Sequence, residues 1–208
     1  MNQTTYDLAD FGAVNDDPGS DIADAFNAVF ADMDANDADT GGRIVIPPGD
    51  YYLNSTVSIT RDFVTVEGVN YGWQTGTGAG GGSRLIVRAS RGFHVPIAGQ
   101  RSRSLVFRNF ILDGELAANN RTGIFVENDN DAVVVEGIAA KELGDAVVLR
   151  NADAAYIAGN QIAENLSCLR LIGGGIASIV ADNRLGAKPQ QITFFAENHD
   201  RLVISGNN

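Results

Sequence analysis

A short pattern of polar and apolar positions recurs along the second half of the chain. Each copy has a polar or small first residue, then alternating apolar residues, then glycine or asparagine. The last four copies begin at Asp131, Asp153, Ala177 and Asp200, so their starts lie 22, 24 and 23 residues apart. An earlier copy runs over residues 62–68. Alternation with period two indicates short β-strands, predicted near residues 133–136, 155–158, 178–181 and 202–205.

A second apolar strand lies between these copies. Its central positions are spaced by 23, 22 and 23 residues, at Ile124, Val147, Leu169 and Ile192. A constant period that contains two strands and no helical repeat is typical of a solenoid. The sequence therefore predicts an all-β fold, a right-handed parallel β-helix with 22–24 residues per coil. Equivalent residues of successive coils should stack in ladders, with aliphatic side chains inside.

Two polar features fit the same interior. Asn160, Asn183 and Asn207 recur at spacings of 23 and 24 residues, and we expect their amides to hydrogen-bond from coil to coil. The only cysteine, Cys168, lies in an alternating strand without a neighbouring His or Lys, which predicts a buried and unreactive thiol.

The N-terminal region has a helical period instead. Ser20 is placed to cap a helix whose apolar face is formed by Ile22, Ala25, Phe26, Val29, Phe30 and Met33. We expect this helix to cover the first coil. The organisation predicted is one domain over residues 1–208, with a cap region at 1–42 and coils at 43–208. The last residues stop where another coil would begin, which predicts either a truncated β-helix or a partner that covers its open end.

Composition and charge narrow the ligand class. The net charge is −11 without a run of Lys or Arg, which argues against nucleic acid and against an anionic membrane surface. A neutral sugar polymer meets no such objection. Two histidines are too few for a histidine-rich metal site, and the acidic stretch at 128–131 lacks the glycine and distal Glu of an EF-hand. We expect no metal and no cofactor.

Localisation is predicted from the first residues. Residues 1–10 lack a basic start and an apolar run, and no apolar stretch approaches the length of a membrane span. The sequence as written predicts a cytoplasmic protein, or a secreted one if a leader has been removed.

Two resemblances carry further expectations. The segments Asp10-Phe-Gly-Ala13 and Ile44-Val-Ile-Pro-Pro-Gly-Asp-Tyr51 resemble the opening of pectate-lyase-like β-helices, which speaks to fold alone. The stronger resemblance is to the inulin fructotransferase family, which includes difructose-anhydride hydrolases, and the chain looks like its N-terminal half. It is carried by the segments 46–51, 107–114, 122–124, 152–153, 162–164 and 196–199.

The family resemblance implies a reaction and a catalytic pair. Family members release the terminal difructose of inulin as a cyclic anhydride by intramolecular attack, using an Asp and a Glu eleven residues apart. Asp153 and Glu164 match that spacing. A second register, six residues later, would place Gly159 and Arg170 there and predict an inactive protein. Asp153 also fits the polar residue that opens each coil, whereas Glu164 is expected to have no matching Glu one coil before or after it.

Assembly and substrate contacts follow from the same resemblance. The pair flanks a whole strand, so we expect the family's homotrimer to bring Asp153 of one subunit to Glu164 of the next. Glu197 and His199 are predicted to contact sugar hydroxyls, and Trp73 to stack on a sugar ring. Competing functions are hydrolysis of the anhydride with the same two residues, a calcium-dependent pectate-type lyase, and a non-catalytic carbohydrate-binding or structural β-helix.

Overall fold

The computed structural model describes residues 4–36, 41–70, 82–115 and 120–208. All strand pairs are parallel, and each coil passes through three sheets before it reaches the next coil. The predicted parallel β-helix is therefore confirmed. In the described part of the chain, no helix is long and apolar enough to span a membrane.

The first sheet contains the strands that the recurring pattern predicted, each within a residue of the expected position. Its members are Thr5–Asp7, Gly42–Val45, Val64–Glu67, Val106–Arg108, Val134–Glu136, Tyr156–Ala158, Ile179–Ala181 and Val203–Ser205. Equivalent residues stack in register, as Val135, Ile157, Val180 and Ile204 do. The first strand of this sheet, Thr5–Asp7, precedes the N-terminal helix in the chain and pairs with the strand at Gly42–Val45.

Two further sheets of six strands complete each coil. The second sheet contains Gly49–Leu53, Ser83–Val87, Ile111–Asp113, Ala139–Lys141, Gln161–Ala163 and Arg184–Gly186. The third contains Val57–Ser58, Arg91–Val95, Thr122–Val126, Asp145–Arg150, Ser167–Ile172 and Ile192–Ala196. Between the third and first sheets the chain forms short strands at Ser102–Arg103, Asn130–Asp131, Ala152–Asp153, Gly175–Ile176 and His199–Asp200.

One predicted ladder position is wrong. Ile124, Val147 and Leu169 stack as expected, but Leu169 pairs with Phe194 and Ile192 pairs with Ser167. This coil is two residues longer than predicted, because a turn at 188–191 precedes the strand. Ile192 is consequently half exposed.

The N-terminal helix covers the first coils. A 3₁₀ helix at Leu8–Phe11 precedes the α-helix at Ile22–Asn36. The predicted face is buried apart from Phe30, which is partly buried against the core. Phe26 meets Phe93 edge-to-face at 5.5 Å, and Phe93 packs on Phe107 and Phe110 of the next coil. The helix is capped by Asp21 rather than Ser20, since the Asp21 carboxylate accepts a hydrogen bond from the backbone N–H of Ala23.

The asparagine ladder is confirmed. Asn160 donates its side-chain amide to Asn183 at 2.8 Å, and Asn183 donates to Asn207 at 2.9 Å. Asn160 and Asn183 also donate to backbone carbonyls of the preceding coil. These bonds satisfy backbone groups at a buried corner, which explains why polar residues recur inside the solenoid.

Candidate functional site

Two of the predicted site residues, Asp153 and His199, lie at one corner of the β-helix, two coils apart. This corner, the short-strand corner, comprises residues 102–103, 130–131, 152–153, 175–176 and 199–200. Asp153 lies in the third of its five strands, and His199 begins the last one. The backbone N–H of Ala154 donates to the carbonyl of Ile176 at 2.8 Å, so the corner continues from coil to coil.

The Asp153 carboxylate is held on both of its oxygens. Oδ1 accepts a hydrogen bond from the backbone N–H of Ile176 at 2.9 Å, while Oδ2 forms an ion pair with Arg101. Arg101 also reaches Asp129 Oδ1 at 3.1 Å. The hydrogen bond from Arg101 to Asp153 is the main reason that the pKa of the arginine is raised. Asp153 thus has a fixed orientation on a partly exposed surface.

A cavity of about 520 Å³ lies beside this corner, on the outer face of the third sheet. Arg150, Arg170, Phe195 and Glu197 contribute side chains to it. The Arg170 guanidinium lies 5.9 Å from the Phe195 ring centroid and 3.5 Å from the Asp145 carboxylate. Cationic donors, a carboxylate acceptor and an exposed aromatic ring form a combination that suits a sugar, whose hydroxyls hydrogen-bond while its C–H face packs on the ring.

The two polar side chains of the cavity differ in how they are held. Arg170 has a buried Nε that has no hydrogen-bond partner among the described residues. Glu197 accepts a weak hydrogen bond at its Oε2 from the backbone N–H of Gly173, at 3.4 Å.

His199 follows Glu197 by two residues in the same coil. Its Nδ1 is 2.9 Å from the carbonyl oxygen of Glu197, and its Nε2 is buried without a partner in the described part of the chain. The ring packs over Gly175 of the preceding coil, where a β-carbon would clash with it. His199 therefore supports the backbone that carries Glu197.

Glu164 is at a different corner. It directly follows the strand at Gln161–Ala163, so the first and second sheets separate it from Asp153 along the chain. Its backbone has φ of 59°, its side chain is exposed, and its N–H donates to the carbonyl of Gly186 at 2.8 Å. In the described part of the chain, the two predicted catalytic residues thus lie at different corners of their coil.

The expectation that Glu164 has no counterpart in the neighbouring coils is wrong. Ala139 pairs with Gln161 and Ala140 with Ile162, which places Glu142 at the position of Glu164 one coil earlier. Glu142 has φ of 58° and forms an ion pair with Lys188 at 3.1 Å. The repeat was missed because the preceding strand, Ala139–Lys141, does not resemble Gln161–Ala163 in sequence.

Other predicted residues are placed as follows. Trp73 lies outside the described residues. Gly159 and Arg170, the alternative pair, also lie apart: Gly159 is at the turn between the first and second sheets, whereas Arg170 is on the outer face of the third. Sequence reasoning missed Arg101, Arg150 and Phe195. The contacts of Arg101 with Asp153 and of Phe195 with Arg170 depend on the register between coils, which gives no local signal in the sequence.

Comparison with known proteins finds a relative in the family that the sequence resembles. No family model matches the chain. The DFA-I-forming inulin fructotransferase of Arthrobacter globiformis is 30% identical over the whole chain, which covers 61% of that protein.

Solved structures match as well. The DFA-IIIase from Arthrobacter chlorophenolicus A6 in complex with GF2 superposes with a TM-score of 0.89 at 31% identity, covering 100% of this chain and 57% of that one. The same enzyme in complex with DFA-III gives a TM-score of 0.88 at 30% identity, covering 99% of this chain and 56% of that one. The chain therefore spans little more than half the length of these relatives.

Proposed function

On the premise that the chain is related along its whole length to inulin fructotransferase and DFA-IIIase, we propose that it acts on fructans. The reaction is intramolecular: the terminal difructose unit of inulin is released as a difructose dianhydride. The observation that carries the proposal is the cavity lined by Arg150, Arg170, Phe195 and Glu197, together with the oriented Asp153 three residues after Arg150. These groups suit an uncharged polyol.

Two proton transfers are needed. One carboxylate takes the proton from the attacking hydroxyl, and a carboxylic acid gives a proton to the departing glycosidic oxygen. Asp153 is the proposed base because the backbone N–H of Ile176 and the Arg101 guanidinium hold its carboxylate in one orientation. Glu164 is the proposed acid. The attacking hydroxyl belongs to the substrate, so no water is consumed.

The separation of the two residues supports a shared site. Glycosidase carboxylates lie roughly 5–9.5 Å apart, whereas Asp153 and Glu164 are at different corners of their coil. In a homotrimer the two carboxylates can come within this distance if the corner with Asp153 in one subunit faces the corner with Glu164 in the next. Glu164 is exposed at its corner and therefore available to a neighbouring subunit.

The test is product analysis. The purified protein is incubated with inulin and, separately, with difructose anhydride, and the products are separated by chromatography. We expect a cyclic difructose product from inulin. Linear inulobiose formed from the anhydride would instead identify a hydrolase, in which water replaces the attacking hydroxyl. No conversion of either substrate by a correctly folded protein would contradict an enzymatic role and favour a carbohydrate-binding β-helix.

A further inference from the structure

A second cleft lies at the same corner, on the first coils of the β-helix. Its volume is about 660 Å³, and Arg61, Asp62 and Phe63 form one wall while Arg101 and Arg103 form another. None of these residues belongs to the predicted pair or to the cavity around Arg170. Arg101 is shared with the proposed site, because its guanidinium lines this cleft and also binds Asp153.

Phe63 is unusual for its position. Its backbone has φ of 58°, in the left-handed region that large side chains avoid. The equivalent residues of the next four coils also have positive φ, and they are small: Ser104, Ala132, Ala154 and Ala177. Phe63 is 39% exposed. The coil after these has Arg201 at the same position, also with positive φ, so Phe63 is the one aromatic side chain among the compared coils, and it lines the cleft.

The charges of the cleft are paired. Arg103 Nε binds the Asp62 carboxylate at 3.1 Å, and Arg61 forms an ion pair with Asp34 of the helix. The Arg103 guanidinium also lies 5.9 Å from the Phe63 ring centroid. A surface whose arginines already have carboxylate partners does not select an anion. Together with an aromatic ring, it offers alternating donors and acceptors to the hydroxyls of a neutral sugar.

The cleft is aligned with Asp153. Arg103 pairs with Asp131, and Asp131 pairs with Asp153, so two coil steps separate the cleft from the candidate base. At about 4.8 Å per step this is roughly 10 Å along the axis. A single sugar ring does not bridge that span, but an oligosaccharide does.

We infer that this cleft is a distal binding site for fructosyl units of the same fructan chain, remote from the bond that is cleaved. The inference rests on the proposed function, because it assigns further units of the fructan chain that is proposed to react at Asp153. It predicts that the protein distinguishes long fructans from short ones. Phe63 stacks on a sugar ring, and Arg103 with Asp62 binds its hydroxyls.

The experiment measures binding by calorimetry in the Glu164→Gln background, where turnover is removed. The ligands are the trisaccharide GF2 and a size-fractionated long inulin oligosaccharide. Phe63→Ala and Arg103→Met are compared with Tyr156→Ala, which removes a similarly exposed aromatic side chain from the first sheet. Circular dichroism confirms folding of each variant.

We expect the parent to bind the long ligand more tightly than the trisaccharide. Phe63→Ala and Arg103→Met should each weaken binding of the long ligand by about 3- to 10-fold, the worth of one aromatic contact, and leave the trisaccharide unaffected. Tyr156→Ala should change neither. Equal effects on both ligands, or none, would overturn the distal site while the product analysis still stands. Binding of neither ligand by the parent would overturn both proposals.

Discussion

Glu142 and Glu164 occupy the same corner position in successive coils, with φ of 58° and 59°. Their surroundings differ. The Glu142 side chain is mostly buried and is neutralised by Lys188, which lies two coils further along. Glu164 is exposed and forms no ion pair within 4 Å with any described residue. This pair therefore provides a comparison between a mostly buried, ion-paired carboxylate and an exposed one at the same corner position.

The first prediction concerns Glu164. In Glu164→Gln, turnover on a fructan should fall by about 10²–10⁴-fold, the usual contribution of a general acid–base group. Folding should be unchanged because the side chain is exposed. Steady-state kinetics and thermal denaturation measure the two effects.

The matched control is Glu142→Gln. It removes a carboxylate from the same corner and an ion pair with Lys188, so it should lower stability modestly and retain turnover. Full activity in Glu164→Gln would refute its assignment, and equal loss in both variants would indicate that the corner is sensitive to any change.

The second prediction concerns substrate binding at the cavity beside Asp153. Glu197→Ala removes a carboxylate that lines this cavity, so KM should rise by about 10-fold, as expected for the loss of a charged hydrogen bond. Glu136→Ala, on the exposed face of the first sheet, is the control and should behave as the parent. An unchanged KM in Glu197→Ala would remove this residue from the site.

The third prediction concerns the asparagine ladder. Asn183 accepts hydrogen bonds from both the backbone and side-chain amides of Asn160 and donates to Ile157. Asn183→Ala leaves these buried groups unpaired, and the free energy of unfolding should fall by at least about 2 kcal/mol. Asn27→Ala on the exposed helix face should change it by no more than about 0.7 kcal/mol. Equal denaturation midpoints for the two variants would contradict the ladder's role.

The fourth prediction concerns Cys168. The side chain is fully buried, as predicted from the sequence, and desolvation raises the pKa of its thiol to about 11. Only the thiolate reacts, and it becomes abundant only as the pH approaches this value. A thiol reagent at pH 8 should label the native protein slowly and the denatured protein quickly. Rapid labelling of the native protein would show that the strand at Ser167–Ile172 opens readily.

The sequence was most informative where one coil repeats the next. The period, the strand positions and the ladder through Asn183 all follow from the requirement that equivalent residues stack. Prediction failed where a coil changed length, as at the turn that moved Phe194 into the position expected for Ile192. It also failed where sequence similarity between coils was lost, which hid the equivalence of Glu142 and Glu164.

The site itself was only partly predictable. The resemblance supplied Asp153 and His199, which the structure places at one corner two coils apart, and Glu197, which lines the neighbouring cavity. The partner of Asp153 could not be predicted, because Arg101 lies 52 residues earlier and reaches it only through the coil register. Phe195 was missed for a related reason: its stacking over Arg170 depends on the longer coil that precedes it.

The proposed shared site requires Asp153 and Glu164 to act together from two subunits. It is tested most directly by producing Asp153→Asn and Glu164→Gln separately and co-expressed with different tags, then purifying the mixed assemblies. Each single variant should be nearly inactive. The mixed assemblies should regain fructan turnover, because some of their sites contain both native carboxylates. Mixed assemblies that stay as inactive as the single variants would contradict the shared site.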